Sequence, residues 1–572
     1  MRKFKKMSAV ALAALTAFGC GSALTGCTKK SGEKIDKTKT QIYVGMIDGG
    51  FGTSWFEPVE KAFEEMYAEV SFQKDRKGVQ IIVDPSATTY MTDHLINNIG
   101  NMKQELLFTE SGFDFYYDFI NKELVLDITD VVTGDLEEFG EKGVTIESKL
   151  SESFKDYYKT DNKYYALPNN EATYGIVYNV DLWEDKLLYL AKEQDNGNNG
   201  FVVSMEDEKS IGPDGEYGTY DDGLPATYAE FYKICDMLKN TYSIDPILWY
   251  YPYVSSLLSC LHADYEGDAF MDNFDFSSEA AKLVKSGTVV RNVDPETGYI
   301  TYSYDTENVA LTNENGKEVF RQAGRLHALE FLENIEKLGY ASSRNYDESH
   351  THLTIHEEYL YGGVSKHVKQ AAMMVEGSWW ENESKGIFED MAKDYTSKYS
   401  IKNRRFGFMP FPKPTMAEVE SKQGYTMLQT NRTMVMINAR TPDWKVDLVK
   451  KLLAFVNTDA QIMRYTMETN TTRPVKYPEN ADVNEMTYFG KELLNLHNNA
   501  KTVFPLSTNE LFKRNTGAFA LGGQSFYTKI KSMEYNMPAI DINREKFTAL
   551  QWFDGLYAYR TEQWQGYLDK LK

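Results

Sequence analysis

The sequence predicts an α/β protein of more than one domain. Strand-like and helical segments alternate from residue 41 onward, which is the pattern of a parallel sheet with crossover helices. A chain of 572 residues is also too long for one core, and 42% hydrophobic with 26% charged residues is ordinary for a soluble globular protein.

Taken in order, residues 41–47 (QIYVGMI) read as a strand that ends in a glycine-rich turn, GGFGTSW. Residues 57–67 then show helical spacing with Pro58 in the first turn. VQIIV at 79–83 is the next strand, 90–100 the next helix, and 113–115 with 124–128 continue the alternation. Such a sheet places its ligand loops at the strand C-termini.

The N-terminus reads MRKFKK, then an apolar run from Ala9 to Phe18, then small residues ending in Leu24-Thr25-Gly26-Cys27. A basic start, a short apolar stretch and a small-residue cut site make a secretory signal peptide, here residues 1–26. Ten apolar residues are too few to span a bilayer. The last four residues resemble the bacterial lipobox, and that resemblance implies diacylation of Cys27 and anchoring at the outer face of a cell membrane, of the Gram-positive type. Residues 27–40 are polar and lysine-rich and read as a flexible tether. Of the remaining cysteines, Cys235 and Cys260 either pair or stay as two buried thiols.

The formal charge of −22 becomes −26 once the signal segment with Arg2, Lys3, Lys5 and Lys6 is removed. A field of that sign repels nucleic acid and anionic polymers and tolerates neutral ligands. No GxSxG, HExxH, P-loop or strand-following GxGxxG occurs, so the sequence carries no enzyme motif. His352 and His356 stand four apart beside His350, but no third metal ligand is near in sequence, and a solvated helix face is expected.

Six segments resemble, in order, the extracellular solute-binding proteins of bacterial ABC transporters, in particular the sugar-binding, maltodextrin-binding-like branch. GFDFYYDFINKELVLDIT resembles the end of the first-lobe pattern, and YYALPNNEATYGIVYNVDLWED the crossover segment. LPATYAEFYKICDMLK resembles a second-lobe helix start, AAMMVEGSWW and FGFMPFPKP the strands returning to the first lobe, and TMVMINARTPDWKVDLVKKLLAFVNTDAQIMRY the second crossover. The resemblance covers residues 41 to 480 and implies a periplasmic-binding-protein-like fold: two α/β lobes, a hinge of at least two crossovers, and an interlobe cleft. Lobe 1 is expected at 41–168 plus about 368–434, and lobe 2 at 169–367 plus about 435–572.

A sugar ring offers an apolar C–H face and a fringe of hydroxyls, so its cleft needs aromatic faces and polar side chains on loops. Candidates at the family's loop positions are Phe51, Trp55, Tyr90, Tyr117, Asn170, Glu171, Tyr174, Trp249, Tyr253, Glu376, Trp379 and Arg473. Adjacent pairs cannot both face one side, so one of Tyr116 and Tyr117, and one of Trp379 and Trp380, belongs to the core. LWYYPY at 248–253 reads equally as an apolar lobe-two strand, and Arg473 equally as half of a structural ion pair. The loop at 212–225 gathers Asp214, Glu216, Asp221 and Asp222 among glycines, which suits either structural Ca²⁺ or a solvated acidic turn.

The function implied is capture of an oligosaccharide by a monomeric lipoprotein that delivers it to the permease subunits of an importer, with no catalysis. The alternatives are a binder of peptides or another polar solute, a surface glycoside hydrolase or lyase, and a structural or adhesive lipoprotein.

Overall fold

The computed structural model describes residues 35–111, 116–430, 432–478, 481–515, 518–519 and 538–572. Cys27, the signal segment and residues 113–115 lie outside the described residues. Among the described residues no helix is long and apolar enough to cross a membrane.

Among the described residues nine strands build the two principal sheets: β1 (Thr40–Ile47), β2 (Val79–Ser86), β3 (Leu106–Ser111), β4 (Leu167–Pro168), β5 (Tyr174–Asn179), β6 (Asp245–Trp249), β7 (Ala371–Gly377), β8 (Phe406–Met409) and β9 (Arg432–Ile437). The first sheet has the order β2-β1-β3-β9-β4, with β1 parallel to β2 and β3, and β9 antiparallel to β3 and β4. The second has the order β6-β7-β5-β8, with β6 parallel to β7, and β5 antiparallel to β7 and β8. Continuous apolar runs such as Leu106–Phe108 and Ala371–Val375 are buried, as sheets covered on both faces require.

The helices obey their apolar stripes. Helix Phe56–Met66 buries Phe56, Val59 and Phe63, one face at three- and four-residue spacing, and packs on β2. Helix Tyr228–Asp236 starts at a capping box in which Thr227 accepts from the Glu230 amide. In the second lobe, helices Tyr253–Glu266 and Ala323–Lys337 pack together, and the C-terminal helix Ala549–Asp569 lies against the latter.

Three expectations are corrected here. β7 and β8, expected to return to the first lobe, belong to the second sheet; β9 and the helix Asp443–Val456, which packs on helix Phe56–Met66, belong to the first. Each of these strands carries a continuous apolar run, so hydrophobic pattern gives no preference for one sheet over the other. The tether is shorter than residues 27–40: the Asp36 amide donates to Gln80 Oε1 (2.8 Å) and the Lys77 amide to the Thr38 carbonyl (2.8 Å), so the chain is docked from Asp36 onward. LWYYPY is a strand only to Trp249; a turn follows, and helix Tyr253–Glu266 begins at its last residue. Cys235 and Cys260 are unpaired buried thiols.

Among the described residues the chain passes three times between the halves built on the two sheets, and the crossings are knitted side by side. The first, Asn169 to Thr173, is bonded to the second where the Thr430 amide donates to the Ala172 carbonyl (2.7 Å). It is bonded to the third where the Glu171 amide donates to the Thr472 carbonyl (3.0 Å). Glu171 is buried and accepts from Thr472 Oγ1 (2.6 Å), Thr502 Oγ1 (2.8 Å) and His497 Nδ1 (2.5 Å). Arg473 is equally buried and donates to the Asn169 carbonyl (2.9 Å), the Val456 carbonyl (3.0 Å) and Asn457 Oδ1 (3.1 Å).

Removing this guanidinium leaves several buried acceptors without a donor. Arg473→Met is therefore expected to lower the unfolding free energy by about 3 kcal/mol, read as a reduced midpoint in urea; an unchanged midpoint would count against the knot. Burial alone lowers the His497 pKa, but the Glu171 carboxylate and the Val475 carbonyl outweigh it, and the net shift is upward. The folded state then holds this proton more tightly than the unfolded chain does. Its contribution is complete below the unfolded pKa of about 6.5 and fades as pH rises through the higher folded value. His497→Gln should flatten that alkaline limb of the stability profile; parallel profiles for the two proteins would refute the assignment.

Candidate binding site at the seam between the sheets

The loop after β1, the end of β3 at Glu110, the first crossing and the turn after β7 converge on one seam. The Asp48–Trp55 loop carries three glycines in four positions, Gly49, Gly50 and Gly52, and lies against Trp379 from the other half. A Cβ on Gly50 would stand 2.4 Å from Trp379 Cδ1, and one on Gly377 would stand 2.4 Å from the far edge of the same ring. The indole is thus gripped between two backbones that only glycine allows so close. Phe51 meets it at 5.8 Å between ring centres and Tyr174 at 5.1 Å, and Tyr253 packs on Tyr174 at 4.9 Å. Asn382 Nδ2 donates across the seam to the Gly50 carbonyl (2.7 Å), and Lys385 Nζ to the Glu468 carbonyl (2.7 Å).

The halves are therefore in contact. At the seam lies a void of about 10 Å³, lined by Ile47, Gly49, Phe51, Glu110, Asn169 and Asn170 among others. That is room for about one water. The expected solvent-filled cleft is closed in this structure, because the small residues of the Asp48–Trp55 loop let the two surfaces meet.

The seam is rich in carboxylates. Burial raises the Glu110 carboxyl to about 7. Glu376 and Glu383 are pushed well above the ordinary range, both mainly by burial, and Glu383 further by the charges of Glu376 and Glu110. Burial holds the nearby His352 and His356 down, to about 4 and about 3. The solvated helix face expected for these histidines is overturned: helix His352–Tyr361 turns His356 wholly inward, with Nε2 2.8 Å from Glu376 Oε2 and Nδ1 3.0 Å from Ser384 Oγ.

The residues singled out in the sequence divide into three groups. Phe51, Tyr174, Tyr253, Glu376 and Trp379 gather at the seam, and Asn170 lines the void with its amide on Thr433 Oγ1 (2.8 Å). Glu171 and Arg473 are committed to the hinge, and Arg473 meets carbonyls and amides rather than a carboxylate. Trp55, Tyr90 and Trp249 are packed inside a lobe, whereas Tyr117 meets a lysine of the C-terminal segment. Trp55 is edge-on to Phe56, Phe108 and Tyr465, at 5.0 Å from the last, and presents only one edge to the void. Tyr90 lies under Gly45 with its hydroxyl on Asp84 (2.6 Å), and Trp249 packs on Tyr346. Tyr117 is half-buried against Tyr116 and Tyr157, with Lys513 Nζ 4.8 Å above its ring.

In the 212–225 loop, Asp221 is fully buried and accepts from the Asp214 amide (3.0 Å) and Thr219 Oγ1 (2.7 Å). Asp222 accepts from the Gly218 amide (2.7 Å), Asp214 from the Glu216 amide (2.7 Å), and Glu216 pairs with Lys422 (3.1 Å). Sequence reasoning missed Gly50, Glu110, Asn382 and Glu383. The only signal for the last two was their place one turn beyond Trp379.

Solved structures share this fold. A manno-oligosaccharide specific solute binding protein from Bifidobacterium animalis subsp. lactis, in complex with mannotriose, is 12% identical; the match covers 92% of this chain and 95% of that one, with a TM-score of 0.53. A chitin oligosaccharide binding protein is 15% identical over 92% and 100% of the two chains, with a TM-score of 0.51. The cyclic alpha-maltosyl-1,6-maltose binding protein from Arthrobacter globiformis is 10% identical over 92% and 100%, with a TM-score of 0.50. The chain thus has the fold of the periplasmic-type solute-binding proteins. No protein-family model matches the sequence, and no curated protein does.

Two substitutions separate the roles of the tryptophans and glycines. Trp55→Ala should cost about 3–5 kcal/mol of stability, as a large core truncation does; a loss below 1 kcal/mol would remove Trp55 from the core. Gly50→Ala should keep the halves apart, raising acrylamide quenching of tryptophan fluorescence and the radius of gyration in solution scattering. Unchanged values in both would show that the Gly50–Trp379 contact does not set closure.

Proposed function

We propose that this chain captures neutral oligosaccharides for an ABC importer, as a lipoprotein held to the outer face of the membrane through Cys27. The observation that carries the proposal is the ring cluster of Phe51, Tyr174, Tyr253 and Trp379, set at the seam of a fold whose solved examples bind mannotriose, chitin oligosaccharides and a cyclic maltosyl-maltose. The cluster draws on both lobes. Opening about the three crossings would expose the ring faces, and a sugar would then take the place that the rings now fill for one another.

In this account the sugar's C–H faces stack on Trp379 and Phe51, while Asn170, Glu110 and Asn382 meet its hydroxyls. A ligand that touches both halves favours the closed form by its contacts there alone. The closed form docks on permease subunits. No bond is made or broken, so no catalytic group is required. The lobes, on this proposal, follow sheet membership: residues 40–168 with about 432–469, and 174–428 with about 476–572. Calcium in the loop of Asp214, Glu216, Asp221 and Asp222 is a structural accessory of the same account; a chelator specific for Ca²⁺ should then lower the melting temperature, and an unchanged one would remove the ion.

A thermal-shift panel of manno-, malto- and chito-oligosaccharides, with oligopeptides as the contrast, is the direct test. At least one neutral oligosaccharide should raise the melting temperature, and its affinity should fall at least about tenfold in Trp379→Ala, about 1.4 kcal/mol. Stabilisation by peptides only, or cleavage of the sugar during incubation, would overturn the proposal.

A further inference from the structure

We propose that His356, Glu376 and Glu383 form a binding site for one divalent cation of the zinc class, with His352 at its rim. One ligand atom from each of the first three residues lies within 4.8 Å of the others, and they come from three separate elements: helix His352–Tyr361, the end of β7, and helix Trp380–Glu383. Imidazole and carboxylate donors together are the set that such a cation prefers over the harder Mg²⁺ and Ca²⁺.

Two features of the local geometry suit a cation. First, His356 Nε2 and Glu376 Oε2 face each other at 2.8 Å, in a hydrogen bond whose proton a cation would replace. Two ligands at about 2.1 Å on a tetrahedral centre stand about 3.4 Å apart, so the pair needs only a few tenths of an ångström of relaxation on each side. The other faces are already fixed: Ser384 Oγ holds His356 Nδ1 at 3.0 Å, and the Gly377 amide donates to Glu376 Oε1 at 2.8 Å. Outer contacts of this kind orient metal ligands.

Second, Glu383 Oε2 is closed to solvent and has no hydrogen-bond partner among the described residues. The closest cationic candidate is His352 Nε2, at 3.9 Å. Neither Glu376 nor Glu383 pairs with a lysine or arginine among the described residues. In their ionised form these two carboxyls would have only imidazole beside them and would lack a counter-charge, so burial keeps them protonated. A divalent cation supplies that counter-charge and satisfies Glu383 Oε2 at the same stroke.

The site lies in the second lobe directly beneath Trp379, which sits between Glu376 and Glu383 on the strand-to-helix corner. A bound cation would tie both ends of that corner to helix His352–Tyr361. Its role would be to position the indole for the seam, and it would not touch the captured sugar.

The test uses the full chain stripped with a chelator and titrated with Co²⁺. The expected result is one equivalent of Co²⁺ with visible d–d bands of low-coordinate N/O type, displaced by Zn²⁺, and a Zn²⁺-dependent rise in melting temperature. Glu383→Gln, at the partly open edge, should keep the fold and weaken binding at least about tenfold. His356→Gln should abolish the bands, while Asp222→Asn in the distant acidic loop should leave them unchanged. Absence of both the bands and the melting shift would overturn the proposal. So would bands of equal strength in Glu383→Gln, or bands lost in Asp222→Asn but kept in Glu383→Gln.

Discussion

Two buried charges, Glu171 and Arg473, tie the first crossing between the sheets to the third. They do not neutralise one another. The carboxylate is met by two threonine hydroxyls and His497, and the guanidinium by carbonyl and amide oxygens of the first crossing and of the Val456–Asn457 turn. A buried ion is tolerated only where its hydrogen bonds are made, so each charge obliges segments hundreds of residues apart in sequence to meet in one register. That requirement places the hinge, and the hinge places everything at the seam.

From the hinge outward, the seam is a problem of reach. Trp379 enters the groove between Gly50 and Gly377 because neither presents a side chain, and the rings of Phe51, Tyr174 and Tyr253 close around it. The ring faces close on one another there. Glu110 stands beside Gly49 and Glu383 beside Gly50, and loss of water raises both carboxyls. Ring stacking favours contact between the halves, and burial of carboxylates opposes it.

Much of the first lobe could be read from the residues. The helix at Phe56–Met66 and the strands at Thr40–Ile47 and Val79–Ser86 follow from local periodicity, and Phe51 and Trp379 from their places after strands. Trp55 shows the limit of such inference: a tryptophan in a glycine-rich turn looks exposed, yet the turn folds it back onto Phe108 and Tyr465. Arg473 shows another. A cation beside a crossing serves a ligand or the backbone with equal ease, and only the carbonyls that surround it decide which.

By itself, the sequence determined the α/β class, the apolar stripes of the helices and the aromatic supply of the seam, because each is set by neighbours within a few residues. Which sheet receives β7, β8 and β9, the inward turn of His356 and the meeting of Glu376 with Glu383 were decided by the tertiary structure alone. A strand buried on both faces carries no periodic mark of its partner. A buried polar side chain takes its meaning from atoms that the chain brings up from far away.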